Sequence, residues 1–189
     1  MKNKILSIAA GVCIVAARFA QADEIEYQKI RAAMSKLAPL VGEWNAVWTF
    51  YDKNSVKEDP DPGTESISFV LDGTYLEFQW EHHNKQDPTR VRKVTSFVTF
   101  NPRTNQYDST YFYRWNALRV TDTGEYDPVL REFRTRGFIP LEDGVNDETV
   151  RTFTSLKDPN RIVYRHYSRR SPAETCERMD LEIILTRVR

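Results

Sequence analysis

The sequence predicts an all-β fold, an antiparallel up-and-down barrel of about ten strands with a short N-terminal helix. Residues 40–188 form short, aromatic-rich segments in which apolar and polar side chains alternate, a period that indicates half-buried strands. Turn residues separate these segments at intervals of about 8 to 12 residues, a spacing typical of sandwiches and barrels. Closure of consecutive hairpins into a barrel leaves no exposed strand edge, and a barrel of this size has room for one small molecule.

Turn signals set the strand boundaries. Asp72-Gly73 predicts a tight hairpin, because both turn positions favour positive φ. Asp-Pro pairs recur in the other connections, where proline cannot donate to a strand ladder. The predicted strands are 42–51, 64–71, 74–82, 91–100, 107–115, 118–126, 130–138, 149–156, 162–169 and 178–188.

Residues 25–37 predict the helix, because apolar side chains recur there at helical spacing on an otherwise charged segment. We expect Pro39 to end it. Such a short helix is not stable alone, so Ile30, Met34 and Leu37 are expected to bury against the barrel.

The N-terminus has the three-part pattern of a cleavable signal peptide. A basic start, Met1–Lys4, precedes an apolar run, Ile5–Ala17, and the small-x-small segment Ala20-Gln21-Ala22. The run has only 13 residues, whereas a membrane span needs roughly 20. The prediction is a signal peptide over 1–22, with cleavage after Ala17 as the alternative, and a periplasmic or secreted protein.

The predicted mature chain, 23–189, has the length of a single domain. The whole chain carries 27 basic and 27 acidic residues, and loss of three basic residues with the signal peptide leaves 24 against 27, a net charge of −3. This balance gives no general attraction to nucleic acid or anionic membranes. Cys176 is the one cysteine left, so no intramolecular disulfide is expected, and its role and the oligomeric state stay open.

Two segments resemble known barrel families. Leu37–Trp44 is similar to the opening of lipocalin-like calycin barrels, and Leu71–Glu77 looks like the second hairpin of an uncharacterised, often secreted, bacterial family in that group. The resemblance implies an antiparallel barrel with a central cavity and no agreed activity. Nitrobindin-like barrels are similar in strand number and bind haem through a late histidine, which would be His166 here, although the first strand lacks their glycine-rich signature. No cofactor is predicted, with haem on His166 as the alternative.

Strand periodicity and the resemblance together predict the ligand-binding side chains. Arg114 shares a face with Phe112 and would anchor a ligand carboxylate. The opposite register, with Tyr111, Tyr113 and Trp115 inward, stays open because this strand is apolar on both faces. The predicted inward residues are Trp44, Trp48, Phe78, Trp80, Phe112, Arg114, Tyr164 and His166.

The remaining polar residues predict no catalytic or metal site. His82 and His83 are neighbours at a strand end, so they point to opposite faces and are expected on the surface. Residues 77, 79 and 81 alternate with apolar ones and predict a solvated outer face. The polar, proline-rich segment Asp52–Gly63 is expected at the mouth of the barrel as a gate.

The favoured function is a barrel that binds a small, partly apolar molecule in a central cavity. One alternative is a barrel enzyme that acts on a small molecule with a buried acid or arginine, and another is a surface or assembly interaction protein. No nucleophile elbow or glycine-rich phosphate loop occurs, so no catalytic residue is predicted.

Overall fold

The structure, a computed structural model, describes residues 23–52, 54, 56–114, 119–140, 147–169 and 177–188. The predicted signal peptide, Trp115 and Cys176 lie outside the described residues.

Ten described strands form one closed antiparallel barrel. Each strand pairs with its neighbours in sequence, and the first pairs with the tenth to close the ring. This confirms the predicted fold class and up-and-down order. The strands are β1 Gly42–Phe50, β2 Asp61–Val70, β3 Tyr75–His83, β4 Val91–Asn101, β5 Gln106–Tyr113, β6 Arg119–Asp127, β7 Glu132–Pro140, β8 Asp147–Asp158, β9 Arg161–Arg169 and β10 Arg178–Arg187.

Buried and exposed side chains alternate along the strands, which shows which face of each strand lines the barrel interior. In β1, Trp44, Ala46 and Trp48 are buried, whereas Asn45 and Val47 between them are exposed. Successive side chains of a strand point to opposite faces, so one set fills the barrel and the other faces solvent.

The N-terminal segment packs against the barrel as predicted. Residues 23–34 are α-helical, and a 3₁₀ segment, Ser35–Leu40, leads into β1. Met34 and Leu37 are fully buried, and Ile30 packs against the same core. The expectation that Pro39 ends the helix is wrong in detail, because Pro39 lies inside the 3₁₀ segment. In an α-helix its ring would clash with the carbonyl four residues earlier, and the α-helical winding gives way to 3₁₀ geometry before it.

This segment closes one end of the barrel. The Tyr107 hydroxyl donates to the carbonyl of Ala33 at 2.9 Å, and the indole N–H of Trp44 donates to that of Leu40 at 2.9 Å. The Arg187 guanidinium lies over the Trp44 ring, 4.1 Å from its centroid, and donates to the carbonyls of Pro39, Val41 and Pro159. The end of the α-helix is thus bound to β5, and the 3₁₀ segment is bound to the start of β1 and the end of β10.

The closed end also holds the turns that follow the even-numbered strands, because strand direction alternates around the barrel. In the β2–β3 turn, Asp72 and Gly73 have φ values of 56° and 81°, as the Asp-Gly pair predicted. The described residues of the connections after β1 and β3 lie at the opposite end, which we call the mouth. No helix in the described ranges combines the length and apolar character needed to cross a membrane.

Candidate ligand cavity

A cavity of about 240 Å³ lies inside the barrel. Its floor includes Leu40 of the 3₁₀ segment, and Phe50, His82 and Arg92 border it near the mouth. Its two sides differ in chemistry, and we call them the aromatic wall and the polar wall.

The aromatic wall comes mainly from β1, β3 and β10. Trp48 and Trp80 meet edge to face with ring centroids 5.4 Å apart, and Tyr164 of β9 lies 5.6 Å from Trp80. Such contacts hold large side chains in fixed positions. The residues of this wall are Trp48, Phe50, Phe78, Trp80, Tyr164, Leu181 and Ile183.

The polar wall comes from β4 to β8 and centres on one carboxyl group. Asp122 is only 6% exposed and is the one acidic side chain among the described residues that line the cavity. Its Oδ2 accepts a hydrogen bond of 2.8 Å from the Thr135 hydroxyl. The other polar residues of this wall are Ser96, Tyr111, Tyr113, Thr152 and Thr154.

Burial raises the pKa of Asp122 to about 6, because a carboxylate loses hydration there. The nearby hydroxyls of Thr135, Ser109 and Tyr111 oppose this shift, since they favour the charged form, and the Thr135 hydroxyl hydrogen-bonds to Oδ2. Burial also raises the pKa of Tyr111 well above its usual value and that of Tyr113 to about 12. Near neutral pH the two phenols are therefore uncharged hydroxyl groups, and Asp122 is mostly ionised.

A glycine makes room for this carboxyl. Gly137 of β7 pairs with Asp122 of β6, and a Cβ atom at Gly137 would lie 2.6 Å from the Cβ of Asp122. Real Cβ atoms do not approach so closely, so the site requires a residue without a side chain at this position.

A buried Asp–His pair lies at the mouth. His82 Nε2 is 2.8 Å from Asp61 Oδ2, and Asp61 Oδ1 accepts the backbone N–H of Lys85 at 2.8 Å. The His82 ring packs against both Trp48 and Phe50. The prediction of a surface histidine at position 82 is wrong, because β2 begins at Asp61 and supplies a buried partner that the sequence pattern placed in a loop.

The prediction that Asp52–Gly63 is a loop at the mouth also needs correction, because its last residues belong to a strand. Asp61–Gly63 belong to β2, and residues 51 and 57 form an isolated bridge that narrows the connection. The remaining part lies at the mouth, as expected, and its gating role stays a prediction.

A second buried carboxyl belongs to Glu65 of β2, which shares the inward strand face of its pairing partners Trp44 and Trp80. Glu65 is 2% exposed, and the Tyr164 hydroxyl donates to its Oε1 at 3.3 Å. Burial raises the pKa of Glu65 well above its usual range, which favours the protonated acid. Burial beside Glu65 also raises the pKa of Tyr164.

Five of the eight predicted ligand-binding residues line the cavity. They are Trp48, Phe78, Trp80, Tyr164 and His166. His166 Nδ1 lies 3.8 Å from Asp180 Oδ2, and haem binding through His166 stays an untested alternative. Trp44 is buried but sits at the closed end beneath the cavity, so it is misplaced as a lining residue.

The predicted inward orientation is wrong for Phe112 and for Arg114. Phe112 is 43% exposed on the outer face, and Arg114 is exposed just beyond the end of β5. Tyr111 and Tyr113 line the cavity instead. The Phe112 face of β5 also carries the polar residues Asp108 and Thr110, whereas tyrosines dominate the opposite face. The prediction gives the aromatic Phe112 more weight than this alternation, which favours the observed register.

Sequence reasoning missed Asp122, although a signal was present. Val120 and Gly124 share its strand face, whereas Arg119 and Glu125 alternate with them on the other face. This alternation places Asp122 on the same strand face as the buried Val120. The outer-face prediction for Gln79 agrees with its exposure.

The described part of the chain contains no cluster of three or more histidine, cysteine, aspartate or glutamate side chains placed to hold a metal ion.

Comparison with known proteins identifies the family. The model of the family "Protein of unknown function (DUF1579)" matches residues 29–183, which span the barrel from the N-terminal helix into β10. The chain belongs to this family. A comparison with curated proteins found no match.

The barrel is similar to a solved structure, the S-type phycobiliprotein lyase CPES from Guillardia theta. The TM-score is 0.55 at 10% sequence identity, and the match covers 81% of this chain and 90% of the lyase chain. At this identity the likeness concerns the fold.

Proposed function

We propose that the protein binds a small, partly apolar molecule in the barrel cavity. The observation that carries this proposal is the cavity itself, which combines an aromatic wall with a few converging polar groups. Ligand sites commonly have this composition, because apolar surface supplies affinity and the polar groups fix orientation.

The cavity volume limits the ligand. An engineered apolar cavity of about 150 Å³ binds benzene, and this cavity measures about 240 Å³. It therefore suits a molecule of one or two rings. A tetrapyrrole such as haem or a bilin would have to extend through the mouth.

The likeness to a phycobiliprotein lyase supports the barrel as a scaffold for small-molecule chemistry. The ligand class proposed here rests on the size and lining of this cavity.

We also propose that the protein acts in the periplasm or outside the cell, on the basis of the N-terminal pattern of residues 1–22. Mass spectrometry of the protein from its native host tests this proposal. A mature N-terminus at Asp23 supports export, and an intact Met1 contradicts it.

Filling the cavity tests ligand binding. Ser96 is 1% exposed and lines the cavity, whereas its neighbour Thr95 points to the other face of β4. Ser96→Phe should weaken the binding of naphthylethanol at least about tenfold by occupying its space, and Thr95→Phe should leave it unchanged. Isothermal titration measures the affinity, and circular dichroism checks that both variants fold. Equal affinity in a folded Ser96→Phe protein contradicts cavity binding.

An enzyme acting on a small molecule is the second candidate. Asp122 favours it, because a buried carboxyl with a pKa of about 6 can exchange protons near neutral pH. Native mass spectrometry of protein from its source identifies the bound molecule, and a mass change on incubation that Asp122→Asn abolishes would support catalysis. Recovery of the molecule unchanged would leave binding as the function.

A further inference from the structure

The polar wall carries the negative charge of Asp122, and among the described residues no cation forms an ion pair with it. Burial and three hydroxyl groups are the influences on the pKa of Asp122, and no described lysine, arginine or histidine is among them. The basic side chains that line the cavity are His82, Arg92 and His166. Each histidine lies by its own aspartate, and Arg92 is exposed at the start of β4.

An ionised carboxylate in such a place is costly unless an opposite charge joins it. The hydroxyls of Thr135, Ser109 and Tyr111 stabilise the carboxylate but do not neutralise it. A ligand that brings a positive charge would complete the site.

We infer that the cavity selects ligands with a protonated nitrogen on an aromatic or apolar body, and that Asp122 is their counter-ion. This inference rests on the proposed function and specifies its ligand class.

The aromatic wall favours the same ligands. The faces of tryptophan and tyrosine rings attract cations through their quadrupoles, and this attraction strengthens away from water. Trp80 and Tyr164 both line the cavity and lie side by side. A cation held by Asp122 would therefore meet a favourable field from both walls.

An anionic ligand is disfavoured on the same grounds. The sequence pattern suggested a carboxylate ligand held by Arg114, but Arg114 is exposed beyond the end of β5. The carboxylate of Asp122 and the ring faces would repel an anion placed between them.

The groups that face Asp122 stay uncharged near neutral pH, so the charge of this wall depends mainly on Asp122. Tyr111 and Tyr113 come from the β5 side of this wall, and their raised pKa values keep them neutral. On β7, Thr135 and Gly137 carry no charge. Tyr164, which interacts with Tyr111, also has a raised pKa.

Three naphthyl probes test the inference with the wild-type protein. They are naphthylethylamine, naphthylethanol and naphthylacetate, which share an aromatic body and differ in charge. By isothermal titration near pH 7.5, the amine should bind at least about tenfold more tightly than the alcohol, and the acetate most weakly.

Matched variants test the role of Asp122. Asp122→Asn keeps the shape and removes the charge, so the amine should lose its advantage over the alcohol. Glu125→Gln removes an exposed carboxylate from the outer face of the same strand and should leave the amine preference intact.

A second measurement needs no variant. Near pH 6, about half of the Asp122 carboxyls are protonated. Binding of the amine should release protons, because the cation favours the carboxylate, and binding of the alcohol should release none. Titrations in buffers of different ionisation enthalpy measure this release.

The outcomes separate this inference from the proposed function. If no probe binds, both fail. If all three bind with similar affinity, or the acetate binds best, cavity binding stands and the cation preference is overturned. An amine preference that persists in Asp122→Asn, or amine binding without proton release, rules out Asp122 as the counter-ion.

Discussion

The aromatic wall and the polar wall line the same cavity but are stabilised in different ways. Trp48 and Trp80 gain their stability from contact with one another and with neighbouring rings. Asp122 relies on hydroxyl hydrogen bonds and keeps a pKa displaced by burial. The comparison teaches that the aromatic wall mainly stabilises the fold, whereas the polar wall holds a carboxyl group whose charge costs stability.

The largest effect is expected on the aromatic wall. Trp48→Ala removes a buried ring that contacts Phe50, Trp80 and His82, and should lower the free energy of unfolding by about 3–5 kcal/mol. Thr135→Val on the polar wall should cost less, about 1–3 kcal/mol, because it removes one hydrogen bond to the buried carboxylate. Urea unfolding measures both. Equal losses would contradict the division between the walls.

The second prediction concerns the pH dependence that Asp122 imposes. Its pKa rises from 3.8 in the unfolded chain to about 6 in the folded protein. Between these values the unfolded chain loses the proton first, so stability falls as pH rises through this window, and the cost persists above it. The full effect is about 3 kcal/mol, from roughly two pKa units.

Asp122→Asn should remove this dependence. The variant should gain stability relative to the wild-type protein as the pH is raised from about 4 to about 7, because asparagine does not titrate there. Chemical unfolding at several pH values checks this. A constant difference across the range would show that burial does not disfavour the ionised form.

The third prediction tests the space that Gly137 leaves for Asp122. In Gly137→Ala the new Cβ would lie 2.6 Å from the Asp122 Cβ and 2.7 Å from the Thr121 carbonyl oxygen, so the strands must shift. Stability should fall by about 1–3 kcal/mol, and the amine preference of the cavity should weaken. Thermal unfolding and naphthylethylamine titration give the two readouts. A variant with unchanged stability would show that β6 and β7 adjust freely at this point.

The smallest effect is expected outside both walls. Phe112→Ala on the outer face should change stability by no more than about 1 kcal/mol, and Arg114→Ala should leave naphthylacetate affinity unchanged. Unfolding and titration measure these. A large loss in either would restore the register in which Phe112 and Arg114 face the cavity.

Local sequence pattern was sufficient to predict much of the fold. Alternation in β1 predicted that Trp44 and Trp48 are buried, the Asp72-Gly73 pair predicted the turn, and the stripe of Met34 and Leu37 predicted the packing of the helix. These features depend on residues close in sequence, so they can be recognised without knowing the partners. They determined the barrel, its strand order and most of its aromatic wall.

Only the tertiary structure decided the polar part of the cavity. Asp61 pairs with His82 across 21 residues, and Glu65 meets Tyr164 across 99. The hydrophobic pattern predicts which residues are buried, but the pairing of strands decides which polar groups those residues contact in the interior.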